Sequence, residues 1–136
     1  MAVQVNLVDE IVNIDNSKDS IVIIENQFSI PGGKSLDTTG FTADVINAGH
    51  VIIKETATGN YKPMPLNVGE TAYAALPANH TYEGVLAATI LTKRPFAGVM
   101  IEGWVNEVAS PFSVASIKAA FLTAVGNKIK FRSDLA

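Results

Sequence analysis

Short apolar runs separated by turn-forming residues fill this chain, and their spacing limits the possible fold more than any other feature. The pattern is that of strands. It is densest between Gly49 and Glu107, where residues 50–55, 61–64, 71–75, 84–91 and 98–105 read as strands. Turns are expected at Thr58-Gly59-Asn60 and Asn67-Val68-Gly69, whose residue types accept the backbone angles of a reversal. Upstream, residues 3–8 alternate apolar with polar, as a half-exposed strand does, whereas residues 21–24 are continuously apolar and are expected to be buried on both faces. Pro31-Gly32-Gly33 and Thr38-Thr39-Gly40 mark a loop over residues 29–40. The boundary is placed there, giving an N-terminal extension or arm over residues 1–40 and a β-rich domain over 41–136.

One helix interrupts the β pattern. Val114, Ile117, Phe121 and Val125 fall on one helical face, Ser113 can cap the first turn, and Gly126 supplies the residue after the last. Residues 129–131 then alternate again as a closing strand. The fold class expected is mainly β with one C-terminal helix, α+β, with the strands closing into a small β-barrel-like domain. Val51, Ile53, Val85, Val99, Ile101, Ile117 and Phe121 carry the periodic apolar faces and are the expected core.

The chain has 136 residues, enough for one compact core. Its residues are 48% hydrophobic and only 17% charged, which leaves apolar surface for neighbouring subunits to cover. A net charge of −3 with interspersed signs offers no footprint for phosphates, so nucleic acid is not an expected partner. With no cysteine, neither disulfides nor thiolate metal sites can hold the fold. No apolar stretch reaches the ~18 residues of a membrane span, and the first residues lack a signal-peptide pattern. The expectation is a product kept inside the cell, with no membrane partner.

No catalytic set emerges. Gly32-Gly33-Lys34-Ser35 ends like a phosphate-binding loop, but Phe28 stands where that loop needs its first glycine. His50 and His80 have no third ligand at metal spacing, and His50 is expected on a strand surface or interface. Glu102 and Glu107 could in principle exchange protons, yet they flank Gly103 and Trp104 at a strand end, where a structural role is the simpler account. No enzyme, cofactor or metal is expected.

The order of the glycine-bounded segments carries further information. Gly49-His50-Val51-Ile52-Ile53-Lys54 leads to Thr58-Gly59-Asn60-Tyr61-Lys62-Pro63, then Gly84-Val85-Leu86, then Gly103-Trp104-Val105-Asn106-Glu107. This series resembles the head decoration proteins of tailed bacteriophages, the lambda-type capsid-cementing family, over roughly residues 46–131. Gly49, Lys54, Thr58, Gly59, Tyr61 and Pro63 match its first signature, and Gly103, Val105, Asn106 and Glu107 its second, with Trp104 between them. The resemblance implies a barrel-like body that forms a homotrimer on the outer surface of the major capsid protein shell. It implies a virion protein made in the host bacterial cytoplasm. It also implies an N-terminal arm that orders on docking, which would make Val3, Val5 and Leu7 capsid contacts through strand addition. The rival reading is a head fibre or glycan-binding β-domain, with Trp104, Tyr73 and Tyr82 as a sugar-stacking surface.

Overall fold

The structure, a computed structural model, describes residues 13–134. Its elements run α1 (Asp19–Val22), β1 (Ile23–Ser29), β2 (Lys34–Ser35), β3 (Val45–Ile46), β4 (Val51–Glu55), β5 (Tyr61–Pro63) and β6 (His80–Leu86). They continue as β7 (Ile90–Leu91), β8 (Phe96–Ala97), β9 (Val99–Asn106), α2 (Lys118–Ala124) and β10 (Ile129–Arg132). The protein is mainly β, with antiparallel pairing dominant and two short helices.

β9 organises the main sheet, whose order is β1-β9-β6-β4-β5. Along one edge it pairs with β1 from Met100 to Val105. On its other edge it pairs first with β6, through Val99 and Met100, and then in parallel with β10, from Gly103 to Asn106. Two small ribbons, β2 with β8 and β3 with β7, stand outside this sheet. Among the described residues no closed barrel forms, contrary to expectation. Closure needs a ladder between the two end strands, and β5 has only three residues. Its outer side meets the chain at Leu36 instead, with the Asp37 amide donating to the Tyr61 carbonyl at 2.8 Å.

The centre of the sheet is buried on both faces. Val51, Ile53, Tyr82, Val85, Met100 and Val105 join one apolar cluster with Ile117 and Phe121, so α2 and its approach cover that face. Ile52, Leu86 and Val99 point into a second cluster with Leu36, Ile46 and Ala97, supplied by the segments that carry the ribbons. A central strand between two such layers must be apolar at every position, which is why Val51-Ile52-Ile53 does not alternate.

Several expectations need correction. Residues 21–24 are not a doubly buried strand: α1 ends at Val22, which alone is fully buried, Ile21 lies exposed on α1, and Ile24 is exposed on β1, the end strand of the sheet. Ile101 is half-buried at the rim of the second cluster. Residues 71–75 make only an isolated bridge, Leu66 to Tyr73, because Tyr73 turns inward to the core. The helix begins at Lys118, since Ser113 closes a local turn by accepting from the Ala115 amide at 3.3 Å. Upstream of residue 41, Val22 and Leu36 belong to the two clusters, and β1 pairs with β9.

Candidate functional site

The first signature forms one hairpin. β4 and β5 pair as Ile52 with Pro63, Ile53 with Lys62, and Lys54 with Tyr61. Between them the Thr58 hydroxyl donates to Glu55 Oε2 at 2.9 Å, and the Gly59 amide donates to the Glu55 carbonyl at 2.8 Å. Glu55 also meets Lys62 Nζ at 3.1 Å, and these donors hold its carboxyl below the usual range, with the Thr58 hydroxyl first. Lys54 pairs with Glu83 at 3.6 Å, and both Lys54 and Lys34 place their ammonium groups over the Tyr61 ring. Pro63 is buried. Gly49, just before the hairpin, has φ of 88° and a Cβ there would sit 2.4 Å from Val22 Cγ1, so only glycine fits.

The second signature is the far end of β9. Gly103 has φ of 153°, and a Cβ would lie 2.2 Å from the Glu25 carbonyl oxygen, beside the irregular pairing between Asn26 and Phe28 of β1. Lys130 from β10 covers the half-exposed Trp104 ring at 5.0 Å. Val105 lies in the core. Asn106 is buried; its side-chain oxygen accepts from the Val108 amide at 3.1 Å, and its backbone carbonyl accepts from the Ser110 hydroxyl. Glu107 receives Lys118 at 3.0 Å and thereby ties the strand end to α2. The two signatures are not brought together, since β6 lies between β9 and the β4–β5 hairpin. Their residues shape turns, close approaches and anchoring pairs. Val3, Val5 and Leu7 lie outside the described residues.

Two other readings change. His50 is no surface residue: it is 1% exposed, its Nε2 donates to the Met64 carbonyl at 2.9 Å, and the rings of Phe41, Tyr73 and Phe112 stand edge-on around it. Burial pushes its pKa down to about 4 against the opposing pull of the Met64 hydrogen bond, so the ring is neutral near pH 7. Tyr73 and Tyr82 cannot form a stacking platform with Trp104, because both are buried. The Tyr73 hydroxyl accepts from the Val51 amide at 3.1 Å, and burial raises the pKa of both phenols.

Sequence reasoning missed one tether. The Asp19 carboxylate accepts from the Thr89 amide and hydroxyl at 2.9 and 2.5 Å, while Thr89 Oγ1 accepts from the Ala48 amide at 3.1 Å. Seventy residues separate Asp19 from Thr89, so no local pattern could reveal the pair.

Among the described residues, two surface features bear on binding. One is a cavity of about 360 Å3 between the loops at Phe41 and Val68, floored by Ile53 and Pro63, with Lys62 and His80 also lining it. The other is the N-terminal flank, where Ile14, Ile21, Ile24 and Phe28 are exposed. Among the described residues no cluster of His, Asp or Glu could hold a metal ion. No helix of the described residues is long and apolar enough to cross a membrane. No family model, no curated protein and no solved structure matches this chain.

Proposed function

We propose that this chain is a structural head protein of a tailed bacteriophage that decorates and stabilises the capsid by binding the outer surface of the major capsid protein shell. The observation that carries the reading is the ordered series from Gly49 to Glu107, whose glycine, proline and asparagine positions coincide with geometric requirements of the fold. Gly49 and Gly103 admit no side chain, Pro63 is buried in the hairpin, and Asn106 and Glu107 bind the chain beyond β9. Cementing needs a rigid body and complementary apolar surface rather than a reactive centre. A sheet whose centre is buried on both faces supplies rigidity, and the exposed apolar flank at Ile14, Ile21, Ile24 and Phe28 supplies surface for a partner. On this reading the protein is not an enzyme and acts as a homo-oligomer in the virion.

The test is co-sedimentation of the purified protein with expanded capsid shells that lack it. Stoichiometric occupancy, visible as added density on the shell in electron micrographs, is the expected result. Failure to bind shells together with selective capture on a glycan array would replace the reading with that of a receptor-binding head domain.

A further inference from the structure

We infer that the cavity between the loops at Phe41 and Val68 is a binding site for a small organic cation, a short apolar body that ends in an ammonium group. The inference stands on the chemistry of the cavity and goes beyond the capsid reading. Ile53, Pro63, Pro65, Leu66 and Pro77 line it with carbon, and Ile53 and Pro63 are buried beneath it. Its volume of about 360 Å3 lies near the lower end of the ~300–1,000 Å3 typical of small-molecule sites, so the occupant is small.

The charge of the occupant follows from what the lining side chains have already spent. Thr39 Oγ1 donates to Asp37 Oδ1 at 2.7 Å, and the Thr42 hydroxyl donates to Glu70 Oε1, which ties the two loops together. The Asn67 amide turns back into its own loop and donates to Thr71 Oγ1 at 3.1 Å. Lys62 is held by Glu55 at 3.1 Å. These donors are committed, and the unspent side-chain capacity is on the acceptor side. Asp37 Oδ2 and Glu70 Oε2 take no hydrogen bond among the described residues. His80 donates from Nδ1 to the Ala78 carbonyl at 2.8 Å, which leaves Nε2 of the neutral ring to accept. A ligand that satisfies these groups must donate. Two carboxylates also stand against one lysine that is already paired, so the donor should be positive, as charge-assisted hydrogen bonds to carboxylates favour. An anion would meet the opposite, with Asp37 and Glu70 repelling it and Glu55 competing for Lys62.

The test is an NMR titration of the isotope-labelled protein with n-butylamine, n-butanol and butyrate, which share one apolar body. Butylamine should shift the amides of residues 37–43 and 65–70 saturably, and the alcohol and the acid should bind more weakly. Asp37→Asn and Glu70→Gln keep the oxygens that accept from Thr39 and Thr42, so thermal unfolding should stay in place while each weakens butylamine about tenfold. Lys62→Gln should act with the opposite sign, tightening butylamine and loosening butyrate, which a purely structural lysine would not do. The peptide acetyl-Gly-Lys-Gly-amide carries the same butylammonium on a polypeptide. Tighter binding of the peptide than of butylamine assigns the site to a lysine of a partner chain, and equal or weaker binding assigns it to a free amine. No saturable shift with either cation, butyrate binding as well as butylamine, or undiminished binding by both carboxamide variants overturns the inference. Each of those failures leaves the capsid reading intact, because co-sedimentation with shells is measured separately.

Discussion

Residues 21–24 and 51–53 are written in the same alphabet, Ile-Val-Ile-Ile and Val-Ile-Ile, and end in opposite surroundings. Val51, Ile52 and Ile53 are all at most 1% exposed, because β4 lies inside the sheet and each face of the sheet has its own cover. In the earlier run only Val22 is fully buried; Ile21 and Ile24 face outward where the sheet ends. Apolar content therefore states what a segment can bury, while the number of neighbouring strands and layers decides what it does bury. Among the described residues the exposed run leaves apolar side chains at the surface, and the buried one leaves none.

The contrast is sharpest at two phenylalanines. Phe121 is fully buried between Tyr82 and Phe131, so Phe121→Ala should cost about 3–5 kcal/mol in denaturant unfolding. Phe28→Ala on the edge strand should shift the same measurement by no more than about 0.5 kcal/mol. Comparable losses at the two sites would show that β1 is as deeply held as the centre.

Acid should act on the interior next. His50 titrates at about 4 when folded and near 6.5 when unfolded, so between these values the unfolded chain binds the proton more tightly. Stability is therefore whole above about pH 6.5 and is lost as pH falls toward 4, by a total on the order of 3 kcal/mol. Thermal melts across this window should show the loss, and His50→Asn should flatten it. Hydrogen bonds from Thr39 and Thr58 hold Asp37 and Glu55 below the ordinary carboxylate range, so their contributions belong to lower pH.

A glycine at the junction of edge and centre gives the third measurement. Gly103→Ala would drive a Cβ toward the Glu25 carbonyl in an unfavourable backbone region, at a cost of about 1–3 kcal/mol. Amide exchange should then accelerate in β1 before it does in β4. Uniform acceleration would mean that the sheet opens as one unit. A small effect is also expected from Lys118→Ala, which breaks a half-exposed pair with Glu107 and should change stability by about 1 kcal/mol or less.

Much of this layout was legible. The hairpin from Gly49 to Pro63 followed from its turn residues, and Val51, Ile53, Val85, Val99, Ile117 and Phe121 are buried as periodicity requires. Ile52 escaped notice because alternation assumes one covered face, and here there are two. His50 read as a surface residue because its position in the run could not reveal the three aromatic rings that converge on it from distant segments. The tether from Asp19 to Thr89 was invisible for the same reason.

By itself the sequence determined the β character, the turns, the helix-forming stretch and the absence of thiol chemistry, since these depend on residues within a few positions of one another. Tertiary structure alone decided that the sheet stays open, that β9 serves three neighbours, that His50 is neutral and enclosed, and that β1 is left at an edge. Those outcomes turn on which distant segments pack together, and pairing between strands far apart in sequence leaves no local trace.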